Sequence, residues 1–131
     1  MRKEKTIFEK IIDGEISAAK FYTDDTCIGI VDKFSTTRGQ ALIIPKNSEP
    51  YIFNLDEETY SHIFKVARKT AKAIDRAFTP IRTCLVVEGF EVPHSHIKLH
   101  PTYKNVLETS GGNEISDKEA QEIANKILSE F

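Results

Sequence analysis

The segment Pro93-His94-Ser95-His96-Ile97-Lys98-Leu99-His100-Pro101 holds three of the four histidines in this 131-residue chain. Side chains alternate between the faces of a strand, so His94, His96, Lys98 and His100 are expected on one face and Ser95, Ile97 and Leu99 on the other. A solvated strand face has no need of repeated imidazoles. Two chemistries suit such a face. Histidines at i and i+2 bind zinc, with Asp32, Glu88 or Glu91 as carboxylate helpers, although no CxxC pair completes the ligand set. Alternatively, a lysine beside histidines suits a phosphate, and its charge disfavours imidazolium, which keeps a histidine neutral and nucleophilic near neutral pH. That arrangement fits phosphoryl or nucleotidyl chemistry.

These residues must be positioned by the elements around them. Thr6 and Glu9 have capping-box spacing, Phe8, Ile11 and Ile12 share a face, and Gly14 stands at a C-cap, which predicts a first helix of about two turns. A second helix starts after Asn54 or Asp56 and carries a stripe of Tyr60, Ile63, Phe64, Ala67, Ala71, Ile74 and Phe78, with Pro80 just beyond its end. His62 falls outside that stripe and receives no role. A third helix, over about residues 116–130, starts with a Ser116/Glu119 capping box and buries Ile123, Ala124, Ile127 and Phe131.

Five stretches between the helices have strand character: Ala18 to Tyr22, Cys27 to Asp32, Gln40 to Ile44, Arg82 to Val87 and His94 to His100. The order αβββαββα, with short turns such as Thr23-Asp24-Asp25-Thr26, predicts an α+β fold with a five-stranded antiparallel sheet and flanking helices. Cys84-Leu85-Val86-Val87 is apolar at consecutive positions, so both faces of that strand are expected to be covered.

Length and composition bound the reading. The chain suits one domain over residues 1–131, with a core of about 5–101. Hydrophobic residues make up 40% and charged residues 29%, a composition that supports a packed core. Eighteen Lys and Arg against 20 Asp and Glu leave no global positive field for nucleic acid or an anionic membrane, so an anion site must be local. No apolar run approaches the roughly 20 residues of a membrane span, and Met1-Arg2-Lys3 is followed by no export-type apolar region. A cytoplasmic protein is expected. Cys27 and Cys84 are too few and too far apart for a disulfide framework.

The run His94-Ser-His96-Ile-Lys98-Leu-His100 resembles the His-φ-His-φ-His-φ-φ motif of the histidine triad superfamily of nucleotide hydrolases and transferases. Thr6-Ile7-Phe8-Glu9-Lys10-Ile11-Ile12, then Glu15-Ile16, Asp24-Asp25, Cys27 and Asp32, look like that family's N-terminal half. Gly39-Gln40-Ala41-Leu42-Ile43-Ile44-Pro45-Lys46 resembles its third-strand signature. The resemblance implies that His96 attacks an α-phosphorus and is transiently nucleotidylated, that His94 contacts the phosphate, and that Asp32 binds the ribose hydroxyls. It implies that Ile7, Phe8, Ile11 and Ile30 enclose a purine base, with Lys33 at the pocket's border. No cofactor or metal is required, and a homodimer is implied.

The chain departs from the family pattern at several positions. Lys98 stands for the third histidine, Gln40 for the histidine after the third-strand glycine, and Ser95 for an apolar residue; the loop 88–92 is short and carries Glu91. Lys98 neutralises a phosphate oxygen as a point charge but does not share a proton as imidazole does, and His100 partly substitutes for the lost imidazole. Three functions follow. The first is hydrolysis at the α-phosphorus of a nucleoside phosphoramidate or dinucleoside polyphosphate through a nucleotidyl-histidine. The second is a nucleotide-binding module with impaired catalysis, and the third is a histidine-rich metal-binding protein.

Overall fold

Each α-helix begins at a side chain that satisfies one of its orphan amides. The computed structural model describes residues 4–131; the reading of Met1-Arg2-Lys3 lies outside them. Helix α1 (Ile7–Asp13) opens on a full capping box, Thr6 Oγ1 accepting from Glu9 N at 3.2 Å and Glu9 Oε1 accepting from Thr6 N at 3.1 Å, and closes at Gly14 with φ 86°. Helix α2 (Glu57–Phe78) starts at Asp56, whose carboxylate accepts from Thr59 N, and stops at Thr79, one residue before Pro80. Helix α3 (Asp117–Ser129) starts at Ser116, which caps Glu119 N at 3.1 Å. Glu119 returns no bond to the Ser116 amide, so only half of the expected capping box forms.

The buried side of α2 differs from the expected stripe. Ile63, Val66, Ala67, Thr70, Ala73 and Ile74 are buried, whereas Tyr60, Phe64, Ala71 and Phe78 are half-buried flanks of the same core. Small side chains let the helix axis approach the sheet, which pushes the bulky aromatics to the margins of the contact.

Strands β1 (Lys20–Thr23), β2 (Cys27–Val31), β4 (Ala41–Pro45), β5 (Arg82–Val86) and β6 (Ile97–Thr102) form one sheet in the order β1-β2-β4-β6-β5, every neighbouring pair antiparallel. This is the expected α+β arrangement. A ribbon of β3 (Phe34–Ser35) with β7 (Asn113–Glu114) is added to it. Two residues a side are too few to show a periodicity in the sequence.

The two sheet faces carry separate cores. Cys27, Val31, Ala41, Ile43, Ile97 and Leu99 pack against α2 and α3, while Ile28, Ile30, Leu42 and Ile44 pack with Phe8 and Ile11 of α1. Two strand expectations are corrected. His94, Ser95 and His96 precede β6 instead of belonging to it: His94 N bonds Val92 O, and Ser95 N and Oγ both donate to Glu49 O, at 3.0 and 2.6 Å. The backbone there is held by the loop before α2, and pairing with β4 ends at Ile97↔Ile43. The second correction concerns β5, an edge strand on which Leu85 is 46% exposed, so the chain by itself does not cover both faces. Cys27 and Cys84 are both free thiols.

Gly39 turns the chain into β4 with φ 91°, and a Cβ there would lie 2.8 Å from the Phe78 ring. Gly39→Ala therefore loses about 2–4 kcal/mol to left-handed strain and overpacking. Urea unfolding measures this: a loss of only about 1–2 kcal/mol would mean that Phe78 moves aside and strain alone remains, and an unchanged midpoint would reject both terms.

Candidate active site

On the α1 face of the sheet a cavity of about 660 Å³ is walled by α1, β2, β4, β6 and the start of α3. That volume suits a small-molecule ligand. The structure brings Ile7, Phe8, Ile11, Ile30, Asp32, Lys33, His96 and Lys98 to its wall. Phe8, Ile11 and Ile30 also belong to the smaller core, so one set of side chains serves packing and lining together. His94, Gln40 and His100 stand behind or beside this wall and are not part of it.

His96 is held in one tautomer. Its Nδ1 lies 2.7 Å from the His94 carbonyl, which only accepts, so Nδ1 carries the proton and Nε2 keeps its lone pair. Nε2 makes no hydrogen bond among the described residues. Burial lowers the imidazole's pKa, Lys98 adding to the effect against weaker opposition from Glu88, and the His94 carbonyl bond raises it less than burial lowers it. His94 is fully buried, its Nε2 donating to the Pro45 carbonyl at 2.7 Å. The Phe8 ring meets both imidazoles edge-on, with centroids 5.9 Å from His94 and 4.8 Å from His96, and so fixes their planes.

Lys98 sits between Leu42 and Val86 in the sheet register and pairs with Glu88 at 3.7 Å. Its ammonium is thus partly compensated. Asp32 is oriented at both oxygens: Oδ1 accepts from Phe34 N at 3.1 Å and Oδ2 from Gln40 Nε2 at 2.6 Å. Gln40 Oε1 in turn accepts from Thr36 N and faces Thr36 Oγ1, each at 2.9 Å. The Thr36 hydroxyl has one proton and two oxygens to serve, Gln40 Oε1 and Glu108 O, so His100 Nδ1 at 3.3 Å donates to it. His100 Nε2 is left buried without a partner, and burial, then Lys98, depresses this imidazole's pKa. A separate recess of about 220 Å³ opens beside His100, Thr36 and Tyr103.

The far rim was not visible in the sequence. Glu114, Asp117, Ala120 and Gln121 complete the cavity, and Lys33 bridges to Asp117 at 2.8 Å and Glu114 at 3.6 Å. Nothing local in residues 113–121 marks them as wall; only the fold brings α3 across to α1. Among the described residues the strand histidines form no three-donor group with a carboxylate. Among the described residues the group that does come together is Asp24, Cys27 and His62, and His62, given no role from sequence, contacts Asp24 Oδ2 at 2.6 Å.

Comparison with known proteins assigns the family. The HIT domain matches residues 13–105. This chain belongs to the HIT family. A HIT-like protein of Borreliella burgdorferi, itself uncharacterised, is 31% identical over 106 residues, 76% of either chain. The crystal structure of a HIT-like protein involved in cell-cycle regulation from Bartonella henselae superposes with a TM-score of 0.87 at 24% identity, over 100% of this chain and 99% of that one. The adenosine 5'-monophosphoramidase of Schizosaccharomyces pombe is 32% identical over 68 residues, 52% of this chain and 51% of that protein. HIT proteins bind nucleotides and are generally hydrolases or transferases. The matched stretch contains both ends of the His96 hydrogen bond, while most of α1 and all of α3, which close the cavity, lie outside it. Among the described residues no helix is long and apolar enough to cross a membrane.

The two depressed imidazoles make a pH prediction. The unfolded chain takes up protons at His96 and His100 near pH 6.5 while the folded chain resists, so folding stability is full above about pH 6.5 and falls as pH drops through the folded values. Each group contributes up to about 1.4 kcal/mol per pH unit in that window. Urea midpoints between pH 7.5 and 5 test it, and His96→Asn should flatten the slope.

Proposed function

We propose that the protein hydrolyses a nucleoside 5'-phosphoramidate through a nucleotidyl-histidine on His96. The observation that carries this reading is the His96 Nδ1 bond to the His94 carbonyl, which leaves an unprotonated Nε2 at the wall of a nucleotide-sized cavity. Nε2 attacks the α-phosphorus, the phosphorus–nitrogen bond breaks, and the amine departs with a proton drawn from solvent, which the attacking water gives back in the second step. Water then attacks the same phosphorus, the phosphorus–Nε2 bond breaks, and a nucleoside monophosphate leaves with His96 neutral again. Lys98 pairs with a non-bridging phosphate oxygen by releasing Glu88. His94 positions the nucleophile. Asp32, already oriented by Gln40, accepts the ribose hydroxyls, and Ile7, Phe8, Ile11 and Ile30 enclose a purine near Lys33.

A phosphoramidate is favoured over a dinucleoside polyphosphate by charge. Glu91 lines the cavity with His96 and Lys98, and Glu88 pairs with Lys98, so an amine leaving group meets less repulsion than a polyphosphate. The activity of the fission-yeast relative supports the same choice. Release of adenosine monophosphate from adenosine 5'-phosphoramidate and from diadenosine tetraphosphate tests the reading. The native chain should turn over the phosphoramidate faster, His96→Ala should lose about 1000-fold or more, and the acid limb of kcat/KM should fall below about pH 6.5. Bound monophosphate without turnover in the native chain would support the second reading, a binding module, which the Lys98–Glu88 pair and Gln40 motivate.

The reading includes a homodimer joined at β5, whose edge is unpaired and presents Leu85. Two free thiols suit a reducing compartment, the cytoplasm. Sedimentation should give a dimer for the native chain and a monomer for Leu85→Arg; a native monomer at micromolar concentration rejects it.

A further inference from the structure

Away from the cavity, the β1–β2 turn meets α2 around one carboxylate. Asp24 Oδ1 closes the turn by accepting from the backbone amides of Thr26 and Cys27 at 2.7 and 2.8 Å. Asp24 Oδ2 faces outward to His62 Nε2 at 2.6 Å, Tyr22 Oη at 2.6 Å and Cys27 Sγ at 3.9 Å. The oxygen, nitrogen and sulfur all lie within 4.8 Å of one another. A clasp between turn and helix needs only the carboxylate and the imidazole. The sulfur turned onto the same oxygen is an additional donor, and the three together are a borderline-soft ligand set.

We propose that Asp24, Cys27 and His62 form a binding site for a divalent transition ion of the zinc class. Bonds of about 2.0–2.3 Å in a tetrahedron set ligand atoms about 3.3–3.8 Å apart. The present separations bracket that spacing, so an ion enters as the imidazole backs away from the carboxylate and the thiol closes in. His62 has the freedom to do so, its side chain being 38% exposed on α2. The Tyr22 hydroxyl or a water supplies the fourth position. The charge states follow from the surroundings. Burial pushes Asp24 upward, but hydrogen bonds from Tyr22, His62 and the two amides outweigh it and keep the carboxylate ionised. Burial, then Asp24, pushes the Cys27 thiol up to about 12, with Lys46 opposing, so the metal displaces the thiol proton and one proton is released on binding.

The site shares no residue with the cavity wall, so its test needs no activity measurement. The full chain, reduced and stripped of metal, is titrated with cobalt(II) and then zinc. We expect thiolate-to-cobalt charge-transfer absorption that saturates at one equivalent, is abolished by zinc, and weakens by more than about ten-fold in affinity in His62→Ala. His62 is half-exposed, so that variant folds; circular dichroism checks it, and His62→Gln gives an independent removal of the same nitrogen. His96→Ala should bind as the native chain does. Absence of charge-transfer absorption overturns the proposal. So does binding that survives loss of His62, or that disappears with His96→Ala and so belongs to the strand histidines.

Discussion

Strand β6 is paired on both sides, with β4 and β5, and this commits every residue along it to one of two faces. Ile97 and Leu99 go to the core under α2 and α3, while Lys98, opposite Leu42, goes to the cavity side. Moving this register by one residue would put a lysine into the larger core and a leucine onto the cavity. The large apolar core therefore fixes where the polar side chains stand. Burial on the opposite side of the sheet thus fixes which way Lys98 points, while the smaller core around Phe8 and Ile11 holds the cavity's own face.

That dependence explains what the sequence made legible. The caps at Thr6, Asp56 and Ser116 are local, each a hydrogen bond across three residues, and so they read directly from residue spacing. The alternation that puts Lys98 on the opposite face from Ile97 and Leu99 is local too. His94 to His96 did not follow it, because Ser95 is bound by Glu49, a partner 46 residues away. The same holds for Lys33 with Asp117 and for Asp24 with His62, separated by 84 and 38 residues. Motifs announced the chemistry near His96, but no spacing rule announces a contact made only when helices close over a sheet.

Neutral imidazole next to ammonium is the electrostatic signature of the site. Burial and Lys98 act in the same direction on His96 and His100, so neither needs a special partner to remain unprotonated. Glu88 limits this effect by drawing on the lysine's charge. Lys98 thus influences its neighbours through the field it projects as well as through contact. Gln40 does something different: it relays no charge, but it stiffens Asp32 and joins it to the Thr36–His100 pair.

The β3–β7 ribbon and the Lys33 bridges make the last segment of the chain a wall of the cavity. Occupation of the cavity and docking of α3 are consequently linked equilibria. A molecule that fills the space touches α1 and the sheet in any case and adds its contacts to Asp117, Ala120 and Gln121 when the helix is seated, so a ligand that binds the docked form better shifts the helix toward it. The same linkage runs in reverse: fraying of α3 lowers affinity by the fraction of time the wall is absent. The C-terminal segment thereby shares in closing the cavity while lying away from His96 in the chain.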